Sequence, residues 1–201
     1  MEKRGQLIII SGPAGTGKGT VVKKLLERNS DMSLSISATT RGPRPCETDG
    51  VEYYFKRRQE FEKMISEDAF IEYAEYNGNL YGTPKKAVLD KLEQGISVIL
   101  EIEVQGAANA AKAFPEAILV FLAPPSMEVL RARLTGRGTE TADVIENRMK
   151  IAERELCRAE DYHYIVVNDT VEEAAEEIEC ILTAERLKVS KNKALLDSLN
   201  K

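Results

Sequence analysis

Apolar residues follow two rhythms along this chain. Short continuous runs rich in Ile, Leu and Val occupy residues 7–10, 96–102, 117–122 and 164–167. Runs of this length without polar alternation predict strands buried on both faces. Between them the apolar positions recur at helical spacing. Val21, Val22, Leu25 and Leu26 mark one side of a helix ending near Arg28. Further helices are expected over 85–94 (stopped by Gly95), 105–113, 126–135 with Ser126 as cap, 142–159, and 171–187, opened by Asp169-Thr170. Strands alternating with helices predict an α/β fold, a parallel sheet core covered by helices on both faces.

Two segments break the alternation. Residues 31–83 hold five of the seven tyrosines and the turn pairs Gly42-Pro43, Asp49-Gly50 and Asn77-Gly78. Short strands fit 53–56, 71–76 and 79–81, and a helix fits 58–66. This reads as a small β-rich insertion. The second break, 136–159, is a glycine-flanked basic turn followed by a charged helix. The expected organisation is a core of 1–36, 84–135 and 160–201, an insertion of 37–83 and a helical lid of 136–159, both interruptions being candidate mobile flaps. The polar tail from Lys188 carries a weak helical pattern and is expected to be a solvated end.

Composition narrows the partners. The chain has 201 residues, enough for one α/β domain with a real core, and a net charge of −5. An acidic chain that binds an anion must gather positive charge locally, and nothing here supports a nucleic-acid or membrane-surface binder. The apolar run near the N-terminus is too short for a signal peptide, and no stretch is long enough to span a bilayer, so a cytoplasmic protein is expected. Cys46, Cys157 and Cys180 show no CxxC spacing and are expected to be free thiols, Cys180 in the core. The only histidine, His163, is expected to be a partly buried surface residue without a catalytic role.

Gly12-Pro13-Ala14-Gly15-Thr16-Gly17-Lys18-Gly19-Thr20 follows an expected buried strand and opens a helix. In that context glycines let backbone N–H groups turn inward around phosphate oxygens, and the helix N-terminus adds a favourable dipole. Lys18 can reach the β- and γ-phosphates. The usual hydroxyl residue directly after the lysine is replaced by Gly19, with Thr20 next, which leaves open whether a hydroxyl meets Mg²⁺ directly or through water. By itself the loop says only that a nucleotide binds.

Three further groups carry chemistry. Arg41 and Arg44, in a proline-constrained loop, can grip a phosphate together with Tyr53, a pattern that fits an exposed loop of surface ion pairs equally well. Glu72 lies within an expected strand, and Glu101 and Glu103 fall on one side of another, at its C-terminal end. A carboxylate there can accept from guanine N1–H and the 2-amino group, donors that adenine lacks, and a carboxylate pair near phosphates suits Mg²⁺ held through waters. Arg131, Arg133, Arg137 and Arg148 crowd around the glycine turn, where a closing flap would bring positive charge to a moving phosphate. Most charges of that helix suit ordinary surface pairing; Arg137 and Arg148 are the exceptions.

In order and spacing, GPAGTGKGT, SATTRGPRPCETDGVEYYF, FIEYAEYNGNLYGTP, ILEIEVQGA, FLAPPS, RLTGRGTET, ENRM and IVVND resemble the guanylate kinase family, over roughly residues 6–187. The resemblance implies a P-loop core with a GMP-binding domain and a lid, phosphoryl transfer from ATP to GMP (and dGMP), and Mg²⁺. It implies ATP phosphates on residues 12–20 with Lys18 central, Asn168 near the adenine, and Arg133 close to the lid arginines Arg137 and Arg148. It implies a GMP phosphate on Arg41, Arg44, Tyr53 and Tyr81, guanine contacts from Ser37, Glu72, Thr83 and Glu103, and Glu101 with Thr20 at the metal. Glu101 and Glu103 stand where Asp is common, Thr83 where Ser is frequent, and Ala14 replaces a frequent Ser. Family relatives in scaffold proteins bind protein partners instead, but they have eroded phosphate loops, and this loop is intact.

Overall fold

The computed structural model describes residues 4–76, 78–136 and 141–199, with only the backbone of Tyr76. In chain order the elements are β1 (Leu7–Ser11), α1 (Lys18–Arg28), β2 (Met32–Leu34), β3 (Ala38–Thr39), β4 (Tyr54–Phe55), α2 (Arg58–Ser66), β5 (Phe70–Tyr76), β6 (Asn79–Pro84) and α3 (Lys85–Glu93). They continue with β7 (Ser97–Glu101), α4 (Val104–Ala113), β8 (Ile118–Ala123), α5 (Met127–Thr135), α6 (Ala142–Leu156), β9 (Tyr164–Val167), α7 (Val171–Leu187) and α8 (Lys193–Leu199).

Five strands form one parallel sheet in the order β2-β7-β1-β8-β9. Strand β1 is fully buried at its centre, and its two faces feed two apolar layers. Ile8 and Ile10 pack with Val21, Val22 and Leu25 of α1 and Ile178 and Leu182 of α7. Leu7 and Ile9 pack with Val88 and Leu92 of α3 and Ala107 and Ala110 of α4. The expected helix-covered parallel sheet is borne out. From β1 the sheet extends in both directions, through β7 on one side and β8 on the other. Ligands in such sheets bind at the carboxyl ends of the strands where the order reverses, which here is the end of β1.

A second sheet, β4-β3-β6-β5, is covered by α2, with Phe61 stacked on Phe70 at 4.4 Å. Its two-residue strand β3 and the core edge strand β2 were not legible, because two or three half-polar residues carry no periodicity.

Several expectations are corrected. Strand β9 is an edge, not a buried strand: Ile165 and Val167 are 61% and 46% exposed, and only Val166 is buried. Cys180 is exposed, on the outer side of α7, whose inner face is Ala174, Ala175, Ile178 and Leu182. His163 is exposed; its Nδ1 accepts from the Leu119 N–H at 3.3 Å. Strand β7 ends at Glu101, so Glu103 is not part of it. The tail, by contrast, is the solvated, weakly helical end that was expected: α8 has no buried residue, and Lys188 and Lys191 pair with buried Glu185. Asn77, half of the expected Asn-Gly turn, and Arg137 with the rest of 137–140 lie outside the described residues.

Candidate active site

The loop between β1 and α1 is shaped by three glycines at positive φ, Gly12, Gly15 and Gly17. At Gly12 a Cβ would stand 2.2 Å from the Leu122 carbonyl oxygen, and at Gly17 it would meet the Asn168 amide at 2.5 Å. Both positions therefore need glycine for space as well as conformation. Thr16 is buried, and its hydroxyl donates to the Pro13 carbonyl at 2.9 Å. Lys18 Nζ donates to the Gly12 and Pro13 carbonyls at 2.6 and 3.3 Å, which folds the ammonium over the loop. No residue of α1 itself places a negative charge in its first turn, so the helix's own sequence leaves the positive end of its dipole available. Thr20 is exposed on the same turn, and Ala14 is exposed at the loop's tip.

Asn168 closes one side of the loop. Its Nδ2 donates to the Thr16 carbonyl at 2.6 Å, while its Oδ1 is buried without a protein partner. Arg133, from α5, donates to the carbonyls of Asn168 and Asp169 at 2.9 and 3.3 Å, tying α5 to the segment after β9.

On the other side a cleft of about 510 Å³ runs from Lys18 to the second sheet. It brings Ser37, Tyr53, Glu72, Tyr81, Glu101 and Glu103 together, from five separate stretches of chain. Glu101 ends β7, and a Cβ at Gly19 would lie 3.5 Å from its carboxylate. Burial pushes the Glu101 carboxyl up, against the pull of Lys18 and with a further push from Glu103. Glu103 reaches the cleft as the N-cap residue of α4, not by strand alternation with Glu101, and its side chain makes no capping bond.

Glu72 owes its direction to an irregularity. Between Phe70 and Tyr73 the β5–β6 register shifts: three steps along β5 match two along β6, from Pro84 to Gly82. Such a bulge re-aims side chains. Glu72 ends only 8% exposed, with Oε1 accepting from the Thr83 hydroxyl at 2.8 Å. A Cβ on Gly106 would stand 3.1 Å from Oε2, so the bare glycine in α4 makes room for this carboxylate. Burial raises the Glu72 pKa, and hydrogen bonds from Thr83 pull it back.

Arg41 lies beside this cleft. Its guanidinium carbon is 5.4 Å from the Tyr53 ring centroid, and Tyr53 meets Tyr81 edge-on at 6.0 Å. Arg44 is exposed at the rim of the same loop. Arg148 lies half-buried on α6, and Arg131 pairs with Glu146 across α5 and α6.

Two acids escaped the sequence reading. Glu47 forms a two-pronged ion pair with Arg41; the offset of six residues inside an irregular loop gave no signal. Glu155, in the last turn of α6, comes within electrostatic range of Glu103 and Lys18, and burial raises its pKa from 4.5 to about 7. The folded chain therefore keeps this proton up to about pH 7, whereas the unfolded chain releases it near 4.5. Stability from this group is full below pH 4.5 and is lost as pH rises through about 7. Glu155→Gln is expected to remove that component. Urea midpoints of parent and variant should converge at acidic pH, with the variant the more stable at pH 8.

Comparison with known proteins now bears on the fold and the cleft together. The sequence model described as guanylate kinase matches residues 4–185. The chain belongs to the guanylate kinase family. A guanylate kinase of Caldanaerobacter subterraneus is 50% identical over 97% of this chain and 95% of its own length. One from Bacillus cereus is 52% identical over 91% of this chain and 90% of its own. The crystal structure of guanylate kinase from Anaplasma phagocytophilum superposes with a TM-score of 0.78 at 36% identity, covering 98% of this chain and 96% of that one. At that coverage the guanylate kinase fold here takes in both sheets, not the phosphate-loop core alone. As a member of the guanylate kinase family the chain is an enzyme, a nucleotide-binding kinase. No helix among the described residues is long and apolar enough to cross a membrane.

Proposed function

We propose that this chain transfers the terminal phosphate of ATP to GMP, and to dGMP, with Mg²⁺, as a cytoplasmic enzyme of purine nucleotide metabolism. The observation that carries the reading is the single cleft joining Lys18 of the phosphate loop to Ser37, Glu72 and the two tyrosines of the second sheet. Donor and acceptor phosphates can meet in that one cleft.

ATP phosphates lie on residues 12–20, where the positive-φ glycines open backbone donors and Lys18 exchanges neutral carbonyls for charged oxygens, its stronger partners. The buried, unpartnered Asn168 Oδ1 suits an amino group such as that of adenine, with Arg133 fixing the segment that carries it. Arg41, Arg44, Tyr53 and Tyr81 hold the GMP phosphate. Glu72, steadied by Thr83, accepts from guanine N1–H and the 2-amino group, with Ser37 and Glu103 alongside. These two donors favour the ionised carboxylate that burial disfavours. No residue named here engages the 2′-hydroxyl, so dGMP serves as well.

Among the described residues no group of three or more His, Cys, Asp or Glu is arranged to hold a metal ion. Thr20, two residues after the loop's lysine, and Glu101, whose carboxylate faces Gly19, would meet one that arrives with the nucleotide phosphates, directly or through water. Bound there it would supply charge neutralisation at the phosphates. Arg148 and Arg137 bring positive charge to the equatorial oxygens. The acceptor is already a phosphate anion, so positioning and charge neutralisation suffice and no strong base is needed.

Inosine monophosphate tests the base contact, since it keeps N1–H and lacks the 2-amino group. The parent enzyme is expected to prefer GMP over it by about tenfold or more in kcat/KM, the scale of one lost bond to a buried charge. Glu72→Gln should lower GMP use and narrow that preference, leaving KM for ATP near the parent value. Equal losses toward ATP and GMP would argue against the contact.

A further inference from the structure

Arg148, Ile151 and Glu155, at spacings of three and four, share one side of α6. The last turn of that helix is fixed to the core. Leu156 packs against Val104, Phe121 and Ala123, with Tyr162 in the same cluster. Val104 directly follows Glu103, the N-cap residue of α4. The anchor at Leu156 therefore holds the Glu155 carboxyl, half-buried, within electrostatic range of Glu103 and Lys18.

Three acids thus share one ammonium. Glu101 and Glu155 each act on Lys18, and each is acted on by Glu103. Tyr162, whose hydroxyl interacts with Ser11 at the end of β1, is the remaining titratable neighbour of Glu155. Beyond it Arg158 and Asp161 pair with each other at 2.6 Å. With all three acids ionised, Lys18 would be outnumbered in a cleft whose ligands are polyanions. Incoming phosphates would meet repulsion from the carboxylates and competition for the ammonium. A proton on Glu155 removes one of those charges. Burial, and then Glu103, favour that proton over the pull of Lys18, and raise the carboxyl from 4.5 to about 7.

We infer that Glu155 is a positioning residue for the donor nucleotide: as a neutral acid it leaves the Lys18 ammonium to the ATP phosphates, and as a carboxylate it competes with them for that ammonium. The inference rests on the reading of residues 12–20 as the ATP site. Phosphates that draw on Lys18 take away the group that favours ionised Glu155, and they add negative charge nearby. Both effects strengthen the hold of Glu155 on its proton in the complex, so by linkage the neutral form binds ATP more tightly. Affinity for ATP is full while Glu155 is protonated and falls as pH rises through about 7.

The test is KM for ATP against pH, with saturating GMP and Mg²⁺, for the full chain and for Glu155→Gln. Glutamine keeps the length and the neutral polarity and has no proton to lose. Between about pH 6 and about pH 9 the parent's KM is expected to rise about tenfold, with kcat changing much less. Glu155→Gln should keep the parent's low KM across that range. Titration of ATP itself is common to both proteins and cancels in the comparison. A flat parent profile, or an equal rise in both proteins, would overturn the inference. So would a variant whose KM is raised or kcat lowered at the acidic end, the mark of a merely structural residue. The parent alone supplies a second reading. Calorimetry of Mg²⁺-bound ATP at about pH 8, in buffers of different ionisation enthalpy, should show net proton uptake, and none would overturn the inference. A parent without turnover at any pH would instead refute phosphoryl transfer, and the inference with it.

Discussion

Replacing Lys18 with Met should lower turnover by about three orders of magnitude while leaving the melting temperature close to the parent value. The side chain keeps its length and loses only the ammonium. Its bonds in the folded chain run to the Gly12 and Pro13 carbonyls, neutral acceptors at a part-buried position that water can replace. In the reaction the same ammonium faces charge that builds on the donor phosphates, where its contribution grows as the transition state is approached. The loss should therefore appear in kcat as well as in kcat/KM, measured by coupled ADP release beside a thermal melt. A variant within tenfold of the parent would remove Lys18 from the chemistry.

Arg41→Met should be nearly as damaging, but in a different parameter. The substitution removes the guanidinium and also strands Glu47, whose carboxyl Arg41 holds below its ordinary pKa range. A freed carboxylate beside the acceptor site repels the incoming phosphate, so loss of attraction and gain of repulsion add. We expect kcat/KM for GMP to fall by about a thousandfold, with KM for ATP changed far less. Arg41→Met combined with Glu47→Gln should recover part of the loss, since it removes the repulsion without restoring the guanidinium. Identical values for the single and double variants would show that the two side chains do not act on the same ligand.

How much of this was legible depended on whether the signal was local. The phosphate loop was readable because its strand, glycines, lysine and helix are contiguous, and each position has its own steric reason, as at Gly12 and Gly17. The helix-covered sheet was readable because Ile8, Ile9 and Ile10 form an unbroken buried run. Exposure at the sheet's edge was not: Ile165 and Val167 look like core residues, and only the strand order leaves them outside. Alternation correctly grouped Glu101 and Glu103, but for the wrong reason, since the second enters the cleft from a helix cap. Glu72 was named from its residue type, yet its direction comes from a bulge whose extra residue shows only against the partner strand. Glu47 and Glu155 were missed because each acts through a contact that depends on loop or helix-end geometry.

The most direct test of the central claim is ADP formation from ATP and Mg²⁺ with GMP, AMP, CMP, UMP or dTMP as acceptor, using the full chain. The account predicts turnover with GMP and background rates with the other four. Turnover with one of those four in place of GMP would keep the phosphate loop's chemistry and contradict the guanine-reading role of Glu72; no turnover with any acceptor, from folded protein, would contradict phosphoryl transfer itself.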